Sequence, residues 1–210
     1  MIKNIVFDIG KIILKDTSSS ALNHINIADD DKKIIKDNIF DEDKFLDLDY
    51  GKLDYKSYFD KYSYLLPDNL KDIAYYALSN SYRLRGVNNN IINLIKELSF
   101  KGYNIYILSN NNKDVYNYFK KSNLDKYING YIVSCFYGVI KPNKEIYNIL
   151  FDTYKLNPSE CYFIDDKKEN IEAANKLGMK GFILDWDNNT FEDLVNDMIN
   201  NNIEVYSNNK

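Results

Sequence analysis

The sequence contains one histidine, His24, and two cysteines, Cys135 and Cys161, in 210 residues. A mechanism that needs a Ser–His pair, or two histidines on one metal, must pass through His24 or be discarded. Two cysteines do not make a disulfide framework, and both sit in or near apolar segments, so they read as reduced core residues. There is no internal repeat, low-complexity linker or Pro-rich segment, and only three prolines occur. No apolar run approaches the roughly 20 residues of a membrane span. The apolar start is too short for a signal peptide and is interrupted by Asp8, so a cytoplasmic location is expected. A basic excess is also missing. Lys and Arg total 27 against 31 Asp and Glu, a net charge of -4. No basic stripe stands out, which argues against nucleic acid as a partner.

What is present is enough apolar material for a core, 45% of residues with 15% aromatic, in a chain long enough for one domain plus a small accessory one. Two textures divide it. Ile5-Val6-Phe7, Tyr103 to Leu108, Tyr131-Ile132-Val133, Tyr162-Phe163-Ile164 and Phe182-Ile183-Leu184 read as buried strands. Between them lie helical patterns such as Ile91, Leu94, Ile95 and Leu98, and a helix stopped by Gly178, a suitable left-handed cap. This alternation predicts an α/β fold with a doubly wound parallel sheet covered on both faces. Residues 16–86 are helical only, with predicted helices over 31–40, 41–50, 54–66 and 67–82. They read as a bundle inserted after the first strand. The core is expected from residues 1–15 and 87–210, and the Asn-rich tail from Asn200, through Asn208 and Asn209, is expected to fray.

The polar signals collect at strand ends. Asp8 follows the first strand, Ser109-Asn110 the second, and Asp165-Asp166 the fourth. Lys141-Pro142 lies in the loop after the third. In open parallel sheets ligands bind beyond the carboxyl ends of strands. Alone, each signal reads as a cap or a turn; their order and shared location raise their value. Converging carboxylates repel unless a cation joins them. Mg²⁺ prefers a few carboxylate oxygens with water and phosphate. A carboxylate can attack phosphorus to give an acyl phosphate, while a lysine and a metal stabilise charge on the transferring group.

These residues resemble the haloacid dehalogenase-like (HAD) hydrolase superfamily, in the subclass with a helical cap between the first two motifs. The segment from Phe7 to Leu14 looks like the first motif and Ile107-Leu108-Ser109-Asn110 the second. Lys141-Pro142-Asn143-Lys144-Glu145-Ile146-Tyr147 is similar to the third, K-P-x-x-x-I-Y. The segment from Phe163 to Met179 is similar to the fourth and is the most specific. The resemblance implies a Rossmann-like core with residues 16–86 as the cap. It implies a Mg²⁺-dependent phosphatase acting on a small phosphorylated metabolite, such as a sugar phosphate, through an aspartyl phosphate on Asp8. The metal would bind Asp8, the Gly10 carbonyl and Asp166, with Asp165 close by. Ser109, Asn110 and Lys141 would hold phosphate, with Lys141 also catalytic, and Asn170 would orient the acidic pair. Lys113 could meet a second anionic group. A monomer or weak homodimer is expected.

One departure matters. Most phosphatases of the superfamily carry a second Asp two residues after the nucleophile, as general acid and base. Gly10 stands there. The D-x-G-N-V branch, which includes α-D-glucose-1-phosphate phosphatases, is closer, but Lys11 replaces its Asn. General acid help is typically worth about 10² to 10⁴ in rate, so activated phosphates are expected to outrun alkyl phosphates. The alternative is a catalytically weak or inactive relative that binds a ligand or partner. A 2-haloacid dehalogenase, which needs no metal, ranks third because Asp165-Asp166 argues for one. Within the insert, Gly51-Lys52-Leu53 reads as a hinge or specificity loop. His24, Arg83, Arg85 and Trp186 read as structural before functional.

Overall fold

The computed structural model of the chain describes residues 1–205. Its centre is strand β1 (Asn4–Phe7), buried along its whole length. It pairs in parallel with β2 (Asn104–Ser109) on one side and β4 (Cys161–Asp165) on the other. Strand β3 (Gly130–Val133) extends the sheet beyond β2, and β5 (Lys180–Ile183) extends it beyond β4. The order β3-β2-β1-β4-β5 places the topological switch at β1.

Period-two alternation divides each strand between two hydrophobic clusters. Ile5, Phe7, Ile105, Ile107, Tyr162 and Ile164 face one cluster; Val6, Tyr106, Leu108 and Phe163 face the other. The first face is covered by α6 (Asn89–Phe100) through Ile91, Leu94, Ile95 and Leu98, and by α10 (Phe191–Asn200) through Leu194 and Met198. The second is covered by α8 (Lys144–Tyr154) through Ile146 and Leu150, and by α9 (Lys168–Lys176) through Ile171 and Ala174. Helix α7 (Lys113–Lys120) follows β2. The α/β doubly wound expectation is met. Gly178 ends the run after α9 at φ +96, a conformation that favours glycine.

Five helices lie between β1 and α6: α1 (Asp29–Ile39), α2 (Glu42–Asp49), α3 (Tyr55–Tyr62), α4 (Asp68–Ser79) and the single turn α5 (Ser81–Leu84). Asp41 and Asp54 cap α2 and α3, accepting from the backbone N–H of Lys44 and Ser57. Ile35, Ile39, Tyr58, Leu70 and Leu78 are buried, and the Tyr58 hydroxyl donates to the Ile39 carbonyl. Two boundaries differ from the sequence reading. The helix expected over 54–66 tightens to a 3₁₀ turn at Ser63–Leu65. The one expected over 67–82 breaks at Asn80, whose amide donates back to the Tyr76 carbonyl and competes with helix continuation.

The chain enters and leaves this insert side by side. Leu14 bridges Val87, Lys15 N–H donates to the Gly86 carbonyl, and Asn88 N–H to the Ile13 carbonyl. Arg85, buried, donates to the Asp16 and Ser81 carbonyls and so ties the two passages together. The tail is better anchored than expected. Ile203 is buried, Asn201 donates to the Asp197 carbonyl, and Glu204 N–H donates to the Tyr103 hydroxyl. Asn208 and Asn209 lie outside the described residues. Both cysteines are free, but only Cys161 is buried; Cys135 is half-buried on a surface turn. Among the described residues no helix is long and apolar enough to cross a membrane.

Candidate active site

Parallel register aligns the ends of β1, β2 and β4, since Phe7 sits opposite both Ile107 and Ile164. The next residues bring the chemistry together. Asp8 N–H donates to the Ile164 carbonyl, which fixes where its side chain begins. Lys141 reaches in from the loop before α8 and is buried. Its ammonium donates to Asp8 Oδ1 at 2.8 Å, to Asp165 Oδ2 at 2.6 Å and to the Leu108 carbonyl at 2.9 Å. Those three bonds use all of its donors. The Lys141 backbone is itself held. The Asn110 amide donates to the Lys141 carbonyl at 3.0 Å and accepts from its N–H at 2.8 Å, and the Lys141–Pro142 bond that follows is cis.

Asp165 is fully buried. Its second oxygen accepts from Lys167 N–H at 2.8 Å and from the Asn170 amide at 2.9 Å. Asp166 is partly exposed, with the Lys11 ammonium 3.6 Å away. Gly10 adjoins Asp8: a Cβ built there would stand 3.6 Å from Asp8 Oδ2, ordinary contact distance. Lys11 takes a left-handed φ of 55, and the Trp186 indole N–H donates to its carbonyl at 2.6 Å.

The electrostatics follow from the count of charges. One ammonium stands between two buried carboxylates, so the cluster carries one net negative charge in a poorly solvated place. Burial therefore raises the Asp8 pKa; Lys141 opposes this and Asp165 adds to it. Burial works against the charge of Lys141, but Asp165 and Asp8 outweigh it and hold its pKa above the ordinary value. Asp166 is pushed up to about 6 by burial, then by repulsion from Asp8 and Asp165.

The expected site residues divide accordingly. Asp8, Ser109, Lys141, Asp165 and Asp166 come together at the strand ends. Asn110, expected on phosphate, has both ends of its amide engaged by the Lys141 backbone, so it positions that lysine. Asp165, expected beside the metal, has both oxygens engaged by protein donors. Lys113 is exposed at the start of α7, where with Leu48, Gly51, Leu53, Ser57 and Phe136 it lines a cleft of about 440 Å³. His24 is exposed in a 3₁₀ turn, Ser18–His24.

Trp186, read from sequence as structural, fastens the loop carrying Gly10 and Lys11. One contributor was not picked out from sequence. Asp49, at the end of α2, lies in the field of Asp8, Lys141 and Lys167. It was one acid among five between residues 41 and 49, and only tertiary folding distinguishes it.

Gly51 explains how α2 reaches the core. Its φ is +70, and a Cβ there would fall 2.1 Å from the Cys135 carbonyl oxygen. Neither backbone nor space admits a side chain. Gly51→Ala is expected to cost about 1–3 kcal/mol, read as a lower Tm. An unchanged Tm would mean that the turn does not rest on Cys135.

A doubly wound α/β domain with a carboxylate–ammonium–carboxylate cluster at its switch point is the class that fold and site define. A profile described as haloacid dehalogenase-like hydrolase matches residues 2–178. The chain belongs to that family. It is 29% identical over 196 residues to a D-ribitol-5-phosphate phosphatase of Bacteroides thetaiotaomicron, covering 87% of this chain and 91% of that protein. It is 31% identical over 121 residues to the bifunctional epoxide hydrolase 2 of Mus musculus, covering 54% of this chain but 21% of that protein. A HAD-family enzyme of Bacteroides thetaiotaomicron, crystallised with magnesium and inorganic phosphate, superposes with a TM-score of 0.70 at 19% identity. That match covers 92% of this chain and 99% of that one. At this identity the likeness shows the fold.

Proposed function

We propose that the protein is a Mg²⁺-dependent phosphatase of a small phosphorylated metabolite, with Asp8 as nucleophile. The observation that carries this reading is the position of Asp8 Oδ1, held 2.8 Å from an ammonium at the carboxyl end of the central strand. The ribitol-phosphate phosphatase that matches over most of both chains supports a polyol or sugar phosphate as substrate class.

The donor set fits a hard cation. Three carboxylates, Asp8, Asp165 and Asp166, meet two ammonium groups, Lys141 and Lys11, so the site has more negative charge than the lysines neutralise. Among the described residues there is no cluster of three or more His, Cys, Asp or Glu suited to a metal. Two carboxylates, Asp8 and Asp166, with the Gly10 carbonyl make a set that leaves room for water and phosphate oxygens, as Mg²⁺ prefers. When bound, the ion would neutralise the acid pair and stabilise charge on the phosphoryl group.

The chain's own residues do the rest. Asp8 attacks phosphorus, the bond from phosphorus to the ester oxygen breaks, and an aspartyl phosphate forms. Lys141 keeps one oxygen of Asp8 fixed, and Asp165 and Asn110 keep Lys141 fixed. The Ser109 hydroxyl lies at the same strand end, near a transferring group. Water then attacks the aspartyl phosphate and returns Asp8. The helices between residues 16 and 86 act as the cap over this opening, with Lys113 and the 51–53 turn at its edge.

Gly10 favours a second reading, a ligand-binding relative without turnover. Release of phosphate from p-nitrophenyl phosphate and a panel of polyol and sugar phosphates separates them. Turnover that needs Mg²⁺ and stops with EDTA is expected. No turnover of any ester would leave only the binding role, and turnover of a 2-haloacid in EDTA would make it a dehalogenase.

A further inference from the structure

Asp8 has no acid two residues on, but the cap brings one into its field. Asp49 ends α2, which packs against the turn Ser134–Phe136. Two contacts pin that end. The Ser134 hydroxyl donates to the Asp49 carbonyl at 2.6 Å, and Gly51 lies against the Cys135 backbone. The Ser134 oxygen also accepts from Asn111 N–H at 3.0 Å, two residues beyond Ser109. Asp49 is thus tied to the loop that carries the second motif. The residue is half-buried, and among the described residues its carboxylate makes no hydrogen bond or ion pair. A carboxyl group sheltered from water without a partner is costly in its charged form and is free to serve a ligand.

We propose that Asp49 is the general acid and base of the reaction, taking the part that Gly10 leaves vacant; this rests on the phosphatase reading. In the first step the Asp49 proton passes to the ester oxygen as its bond to phosphorus breaks, giving a neutral alcohol and a carboxylate. In the second, that carboxylate takes a proton from the water that attacks the aspartyl phosphate. The water oxygen joins phosphorus, the bond from phosphorus to Asp8 breaks, and protonated Asp49 is restored. The electrostatics agree. Burial lifts the Asp49 pKa to about 7; Asp8 adds to the lift, and Lys167 and Lys141 oppose it. Cys135, from the supporting turn, faces it as a neutral thiol with its own pKa raised by burial and then by Asp49. A general acid is most effective with a pKa near the working pH.

The test is the dependence of kcat/KM on leaving group for phenyl, p-chlorophenyl and p-nitrophenyl phosphate with Mg²⁺. This ratio reports the steps up to loss of the phenol, so later hydrolysis does not mask it. p-Nitrophenolate leaves well without a proton and phenolate does not. Asp49→Asn is expected to lower kcat/KM for phenyl phosphate about 10²-fold more than for p-nitrophenyl phosphate. The wild-type value for phenyl phosphate should fall as pH rises through about 7, since the protonated form is the active one, and the variant should lose that limb. Gly10→Asp, whose Cβ would meet Asp8 Oδ2 at an ordinary contact distance of 3.6 Å, should restore phenyl phosphate turnover when added to Asp49→Asn. An equal loss on all three esters, or an unchanged pH limb, would overturn the proposal while leaving the phosphatase reading intact. Failure of the wild type on every ester would overturn both.

Discussion

Replacing Asp8 by Asn is expected to lower turnover at least about 10⁴-fold, as loss of a covalent nucleophile does elsewhere, while the protein melts no lower than the wild type. The two halves of this result come from different properties. Turnover falls because an amide oxygen does not open a covalent path to phosphorus. Stability holds because the cluster carries one carboxylate more than its ammonium can neutralise. The amide in Asp8→Asn would keep an acceptor for Lys141 and leave Lys141 and Asp165 as a neutral pair. The direction of the Asp8 shift gives the sign. A carboxyl whose folded pKa is raised favours the fold when protonated, and that contribution is lost as pH rises through the folded value. At neutral pH the wild type therefore bears a cost that the variant does not, and in acid the difference shrinks. Phosphate release and thermal melts at pH 4 and pH 7.5 check both halves. Wild-type turnover in the variant would remove Asp8 from the chemistry. A large fall in Tm would mean that the Asp8 charge supports the fold.

The sheet was legible because its strands are short apolar runs with polar residues placed just after them. Ile5-Val6-Phe7 followed by Asp8, and Tyr162-Phe163-Ile164 followed by Asp165, announce both the strand and the end that carries chemistry. Asp41 and Asp54 marked the starts of α2 and α3 because a short acid caps free N–H groups. The geometry inside the cluster was not legible. Sequence places Lys141 near Asp8 but does not say that it also spends a bond on the Leu108 carbonyl. Nor does it say that Asn110 turns away from the opening to clasp the lysine backbone. Asp49 was hidden for a related reason. Along α2 it is one of several acids on an ordinary polar helix, and its neighbours Lys167 and Asp8 are more than 40 residues away in the chain. Only the glycine turn at Gly51, which lets α2 rest on Cys135, gives it an address.

Lys141→Met should be the most damaging single change to the fold of the site. The ammonium is buried and joins three acceptors from three places, Asp8, Asp165 and the end of β2. A thioether of similar length fills part of the volume and supplies no charge and no donor. Asp8 and Asp165 would then face each other unpaired, and the Leu108 carbonyl would lose its side-chain donor. Breaking a buried pair by removing one partner typically costs about 3–5 kcal/mol, which in a chain of this size lowers Tm by roughly 10 °C. Activity should be lost as well, because Asp8 is no longer held. Lys141→Arg should rescue little, since a planar fork cannot reproduce three bonds from one nitrogen. The decisive measurement is the double variant with Asp8→Asn. If the damage comes from uncompensated carboxylate charge, removing one carboxylate gives stability back, and the pair melts higher than Lys141→Met alone. Additive or worse behaviour would assign the loss to packing and remove Lys141 as the electrostatic centre of the cluster. That cycle also bears on Asp49, whose raised pKa depends partly on the charges of Asp8 and Lys141. With Lys141 gone the Asp49 pKa should move further up, and with Asp8 also neutral it should return to its wild-type value or below, since Asp8 acts on it more strongly than Lys141 does.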